Sequence, residues 1–138
     1  MSYLVYADIT DMVALGFPSA QTIIEGYFTE VDAEINDIAE QLGLSSSSEI
    51  DTDYKDTGRI HYKLIRFGVA YLLFRMFFDR AGVNDVETDP NIEKYYFKAN
   101  AYNNLQQKLR GQITLEMFTD TVTSTASRTS YSAVIIRS

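Results

Sequence analysis

Large apolar residues are densest between Arg59 and Gly82, and this stretch predicts the central helix of the fold. Six of them recur at spacings of three or four and form one helical stripe: Ile60, Leu64, Phe67, Tyr71, Phe74 and Phe78. Four others lie on different faces of the same helix: Ile65, Val69, Leu72 and Phe77. A helix that is apolar on most sides is expected to be buried.

Two further long helices are predicted on either side of this one. Ser19 is a good N-cap for the first, and Gly43 is a good stop signal. Its apolar stripe is Ile24, Phe28, Val31, Ile35, Ile38 and Leu42. Asp89 and Pro90 predict the start of the second, which is expected to continue to about Arg110. Its core stripe is Ile92, Tyr95, Ala99, Tyr102, Leu105 and Leu109.

The remaining segments complete an all-α prediction. Asp8 is expected to be the N-cap of a short helix, Ile9 to Leu15, and Gly68 to permit a close helix crossing. Residues 44–58 are rich in serine and aspartate without an apolar period, which predicts a mobile connector. Calcium binding by this connector is not favoured, because the spacing of its acidic residues departs from an EF-hand loop.

The fold class expected is a small bundle of three long helices with a short N-terminal helix and an extended C-terminal tail. Residues 1–118 form the helical domain, and residues 119–138 form a Ser/Thr-rich C-terminal arm. The arm ends in a run of strand formers that includes Tyr131, Val134, Ile135 and Ile136. This run is either a frayed terminus or a strand donated to the sheet edge of another molecule.

The composition argues against an enzyme and against a cofactor. The chain has no cysteine and a single histidine, His61, so it offers neither a zinc set nor a catalytic triad. Its glycines are scattered and form no phosphate-binding loop. The longest uninterrupted apolar run, residues 67–74, is too short to cross a membrane. The absence of cysteine and of a signal peptide leads us to expect a protein made in the cytoplasm.

Charge is distributed unevenly along the chain. Residues 1–56 carry twelve acidic side chains and one lysine, whereas residues 57–115 carry five acidic and nine basic side chains. This asymmetry suits either a dipolar arrangement within one molecule or head-to-tail contact between identical copies. Four basic residues at the margins of the central helix are therefore candidate interface residues: Lys63, Arg66, Arg75 and Arg80. The net charge of -7 argues against specific binding of DNA.

The order of these features resembles a known family. Tyr6 and Asp8-Ile9, the Gly16-Phe17-Pro18 turn, the helix YFTEVDAEINDIAEQL, the central RFGVAYLLFRMFF and the Asp89-Pro90 cap carry the likeness. Together with the helix that closes at Gly111, these segments resemble the head-to-tail connector proteins of tailed bacteriophages, over about residues 3–118. One departure is the long serine- and acid-rich connector at residues 44–58, which is often short in relatives.

The resemblance implies a structural virion protein at the neck between head and tail, without enzymatic activity. Copies of such proteins form a ring, usually of twelve, that binds the portal and supports a tail-completion or tail-terminator protein. The C-terminal segment commonly reaches onto the portal. DNA passes through the ring, and three residues of the acidic helix are candidates to face this channel: Glu30, Glu34 and Asp37. The alternative is a small helical interaction or regulatory module that binds a sheet edge through its C-terminal strand.

Overall fold

The computed structural model describes residues 2–10, 21–83 and 92–119. The described part contains one short α-helix and three long ones, which we label in chain order: α1 (Gln21–Glu25), α2 (Phe28–Gln41), α3 (Tyr62–Val83) and α4 (Ile92–Arg110). Four 3-10 turns accompany them: Tyr6–Ile9, Ser47–Glu49, Tyr54–Asp56 and Leu115–Met117. No strand occurs in these residues. The prediction of an all-α bundle built on three long helices is confirmed.

The centre of the fold is an antiparallel hairpin formed by α3 and α4. The Phe77 ring near the end of α3 stacks on Tyr102 at 5.8 Å and packs against Tyr95 at 6.3 Å. Phe67, near the start of α3, lies under the guanidinium of Arg110 at the end of α4. The burial of most of α3, including Leu64, Phe67, Leu72, Leu73 and Phe77, confirms that it is the core helix.

Helix α2 packs across α3, and Gly68 allows the close approach. A Cβ atom at Gly68 would lie 3.0 Å from a methyl group of Val31 and 3.3 Å from a methyl group of Leu4. Both neighbours are completely or almost completely buried. The predicted close helix crossing at this glycine is confirmed.

The ends of the helices differ from prediction at three places. The helix predicted up to Leu42 is broken at Gly26 and Tyr27, so that α1 and α2 are separate. Helix α3 begins at Tyr62, after His61, whose imidazole Nδ1 accepts a hydrogen bond from the Lys63 amide at 3.0 Å. His61 is therefore the N-cap of α3 and not a residue of its first turn.

The first helical turn also begins earlier than predicted. It starts at Tyr6, which places Asp8 inside the turn, so the prediction of Asp8 as the N-cap is wrong. The Asp8 carboxylate instead accepts the Val5 amide at 2.9 Å and pairs with Arg59. The rest of the predicted helix, residues 11–15, lies outside the described residues, as does the predicted Asp89-Pro90 start.

The C-terminal boundary of α2 agrees with prediction in detail. Gly43 has a φ of 118°, which glycine adopts readily. Its amide bonds to the carbonyl of Glu40, and the amide of Leu44 bonds to the carbonyl of Ala39. This pair of hydrogen bonds is a Schellman motif.

Residues 44–58, predicted as a mobile connector, have a defined conformation instead. They form two 3-10 turns, and Ile50 is buried in the core. The Tyr54 hydroxyl donates to the carbonyl of Glu116, and the Asp51 amide donates to the carbonyl of Phe118 at 2.7 Å. Polar side chains of the connector form hydrogen bonds with its own backbone. These bonds define its conformation, although its sequence has no periodic apolar pattern.

The last described residues close the core. Ile113 is buried, and Phe118 is completely buried. The C-terminal arm beyond Thr119, with its candidate residues Tyr131, Val134, Ile135 and Ile136, lies outside the described residues.

Candidate interaction surfaces

The acidic face of α2 is partly neutralised by bases from the other two long helices. The Glu30 carboxylate lies 3.2 Å from the Arg75 side chain of α3. Glu34 forms an ion pair with Arg110 at the end of α4. Of the three predicted channel residues, Asp37 alone is exposed without a hydrogen bond or ion pair in the described part. The negative potential of this face is therefore concentrated toward the C-terminal end of α2.

The four predicted basic interface residues fall into two groups. Arg75 is engaged within the molecule, because it contacts Glu30 and lies 3.7 Å from Asp79. The guanidinium of Arg80 lies over the Tyr95 ring at 5.7 Å. Arg66, by contrast, is exposed, and Lys63 is half-buried near the start of α3. The uneven charge distribution suited either pairing within one molecule or head-to-tail contact between copies. For Arg75, Glu30 and Glu34, the observed contacts favour pairing within one molecule.

A partly buried polar contact joins α3 to Tyr27, the residue before α2. The Tyr27 hydroxyl donates to the Asp79 carboxylate at 2.7 Å. Burial of the phenol, together with this carboxylate, raises the pKa of Tyr27 to about 12. The hydroxyl therefore stays protonated at any physiological pH and acts as a fixed donor between the helices.

A second polar contact holds the N-terminal segment against the loop before α3. Both terminal nitrogens of Arg59 contact the Asp8 carboxylate, at 2.7 and 3.1 Å, and one of them also donates to the carbonyl of Tyr3. Burial acts to raise the pKa of Asp8, but the hydrogen bonds from Arg59 and Val5 prevail and lower it. Arg59 therefore bridges residues 3 and 8 in their folded positions.

Several large apolar side chains are exposed at one end of the α3–α4 hairpin. Phe97 is 72% exposed and Phe78 is 46% exposed, and Tyr96 is exposed as well. Phe78 follows Phe77, and Tyr96 follows Tyr95, so the contact between Phe77 and Tyr95 places them at the same level of the hairpin. We call Phe78, Tyr96 and Phe97 the aromatic end. Exposed apolar side chains that cluster in one region make that region a candidate for a protein interaction site.

A groove of about 330 Å³ runs between α3 and α4. Its lining is mainly apolar and includes Val69, Leu73 and Leu105, with Arg66 and Asp8 among its charged residues. Leu105 belongs to the predicted core stripe of α4, but it is exposed at this groove.

The described residues offer no site for metal chemistry. They contain no group of three or more His, Asp or Glu side chains placed to hold a metal ion. None of the helices in the described ranges combines the length and apolar character needed to span a membrane.

Comparison with known protein families, with curated proteins and with solved structures finds no match for the chain.

Sequence reasoning missed the aromatic end. Phe78 was predicted in the apolar stripe of the buried central helix, and that prediction is wrong because its side chain is 46% exposed. For the two residues of α4 the signal was present. Tyr96 and Phe97 lie outside the predicted stripe that contains Tyr95 and Ala99, so their helical position already directed them away from the core.

Proposed function

We propose that the chain is a structural virion protein whose copies form a ring between the portal of a phage head and the tail. The ring, usually of twelve copies in the family that the sequence resembles, would bind the portal on one side. A tail-completion or tail-terminator protein would bind on the other side, and DNA would pass through the ring without specific contacts. The site of action would be the neck of the virion.

The aromatic end is the observation that supports this proposal best. Phe78, Tyr96 and Phe97 would be covered in a ring, because subunit interfaces are enriched in aromatic side chains. Lys94 and Lys98, in the same part of α4, add positive charge nearby. An acidic surface on the next copy would complement this combination of rings and charge.

The C-terminal part of α2 offers such an acidic surface. Asp37 and Glu40 are both exposed there, whereas Glu30 and Glu34 are engaged with arginines of the same chain. In a ring, Asp37 would lie either at this subunit contact or along the channel, where its charge would repel DNA phosphates. Because Glu30 and Glu34 are paired with arginines of the same chain, we expect their charges to contribute less than that of Asp37 to a subunit contact or to the channel.

The function is tested in the phage that encodes the chain. A stop codon early in its gene is expected to give DNA-filled heads and separate tails that do not join, visible by electron microscopy of the lysate. Supplying the intact chain from a plasmid is expected to restore infectious particles. Normal yields of joined particles without the chain would contradict the proposal and favour the alternative, a helical interaction module of another kind.

A further inference from the structure

The groove between α3 and α4, which we call the α3–α4 groove, is apolar and open. Both helices line it, with Val69 and Leu73 on α3 and Leu105 and Leu109 on α4, and Leu105 is 38% exposed. The volume of the groove is about 330 Å³, whereas a cavity of roughly 150 Å³ is enough to hold a benzene ring. The groove therefore has room for an aromatic side chain.

The aromatic end presents such a side chain at another level of the same hairpin. Phe97 is the most exposed large apolar residue in the described part of the chain. It precedes Leu105 by eight residues on one continuous helix, which corresponds to about 12 Å along α4. Its exposure shows that its ring does not enter the groove of its own chain. A second molecule is needed to bring the two surfaces together.

The edges of the two surfaces carry opposite charges. Arg66 lines the groove and is exposed, and Glu93 is exposed one helical turn before Phe97 on the same face of α4. Neither of these two charged side chains forms a hydrogen bond or an ion pair within the described ranges. The other charged residue of the lining, Asp8, is already paired with Arg59. Arg66 is thus the charge that the groove offers to a partner, and a carboxylate is its complement.

We propose that Phe97 of one copy inserts into the α3–α4 groove of the next copy, with Glu93 placed against Arg66. The two surfaces are different parts of the hairpin, so the contact is heterologous. Each copy gives its aromatic end to one neighbour and its groove to another. Repetition of a heterologous contact produces a ring where the rotation between copies closes, and an open filament where it does not.

This inference deepens the proposed function and rests on it, because it names the surface that receives the aromatic end in the ring. It commits the groove to a second copy of the chain and not to the portal or to a tail protein. The acidic C-terminal part of α2 remains the counterpart proposed for Lys94 and Lys98.

The test mixes two variants of the full chain, each of which lacks one half of the contact. Phe97→Glu loses the ring and keeps the groove, whereas Leu105→Glu keeps the ring and places a charge in the groove. Each variant alone should associate at least about 30-fold more weakly than the wild type in analytical ultracentrifugation, measured without and with the portal. An equimolar mixture should form a dimer with one copy of each variant and nothing larger, because only one intact contact remains.

Charge exchange gives a second readout at two exposed positions, where a failure to fold is not expected. Arg66→Glu and Glu93→Arg should each weaken association roughly fivefold, and the chain that carries both changes should regain the affinity of the wild type. Gln107→Glu is the matched control and should leave association unchanged. Circular dichroism of every variant checks that the helices are intact.

The outcomes separate this inference from the proposed function. A mixture that stays monomeric while the wild type assembles would overturn the inference and leave the ring in place, and so would a Leu105→Glu chain that assembles like the wild type. If Leu105→Glu still forms rings but no longer binds the portal, the groove belongs to the portal contact instead. A wild type that never assembles, alone or with its portal, would contradict both the inference and the ring.

Discussion

At the scale of single residues, His61 has a structural role at the start of α3. It is the only histidine, and its Nδ1 caps α3 by accepting the Lys63 amide at 3.0 Å. Burial and then the nearby Lys63 and Lys55 lower its pKa from the usual 6.5. The neutral ring is therefore the form that the fold favours, and a protonated Nδ1 could no longer accept the hydrogen bond.

The lowered pKa predicts a pH dependence of stability with a definite sign. Because the unfolded chain binds a proton at His61 more readily, the contribution of His61 to stability is present above pH 6.5 and is lost as pH falls through the folded pKa. His61→Asn keeps a capping oxygen without a titrating group, so the difference in unfolding free energy from the wild type should change between pH 7.5 and 5. A constant difference across that range, measured by urea denaturation, would contradict the role of His61.

His61→Ala serves as the companion variant at a single pH. At pH 7.5 it removes the cap, and it should lower the unfolding free energy by about 1 kcal/mol. His61→Asn should stay close to the wild type at that pH. Equal destabilisation by both variants would show that ring packing against Tyr54 and Tyr62, and not capping, is what His61 supplies.

Lys55 and Asp56 carry backbone strain that a substitution can relieve. Both have positive φ, 49° and 65°, in a turn where the Thr57 amide bonds to the Tyr54 carbonyl. Asn-Gly is the pair that such turns prefer, so Lys55→Asn combined with Asp56→Gly should raise the unfolding free energy by about 1 kcal/mol. Lys55→Ala keeps the strain and serves as the control. A double variant that is less stable than the wild type would contradict the claim that the positive φ angles of Lys55 and Asp56 cost stability.

At the scale of elements, the contact between α2 and α3 depends on the missing side chain of Gly68. Gly68→Leu places a large group against Val31 and Leu4 and should cost about 1–3 kcal/mol through overpacking. Gly68→Ala adds a single methyl group near flexible side-chain ends and gains roughly 1 kcal/mol of helix propensity, so its net effect should be small. Thermal unfolding of both variants checks this, and a neutral Gly68→Leu would mean that the helices do not cross closely here.

The long helices could be predicted because their signals are local and repeated. The stripe of α3 and the Gly43 stop of α2 depend on spacing and on one special φ. The break at Gly26 and Tyr27 and the ordered connector could not be predicted in the same way. Each depends on contacts with distant residues, as when Tyr27 donates to Asp79 and Tyr54 to the carbonyl of Glu116.

The candidate interaction residues were predicted less well than the fold, for a physical reason. Sequence shows that Arg75, Glu30 and Glu34 are charged, but not that the packing of α2 brings bases of α3 and α4 to its acidic face. Such pairing across helices changes which charges remain available to a partner. Lys63, Arg66 and Asp37 keep the predicted role as proposals, and the predicted interface residues of the arm lie outside the described residues.

At the scale of the whole molecule, the ring proposal makes the aromatic end a subunit contact. Phe97→Glu places a charge at the most exposed of these rings and should abolish assembly while leaving the helical content unchanged. Gln107→Glu adds the same charge at an exposed position near the other end of α4 and is the matched control. Circular dichroism checks the fold of each variant. Assembly that survives Phe97→Glu would place the subunit contact elsewhere.

The most direct measurement is the mass of the species that the full chain forms with its portal, determined by native mass spectrometry. The proposal predicts a closed ring that contains about as many copies of the chain as the portal has subunits. In the family that the sequence resembles, this number is usually twelve. Phe97→Glu should prevent its formation, and Gln107→Glu should not. A chain that remains monomeric at every concentration, and never appears in a complex with the portal, would contradict the proposed function.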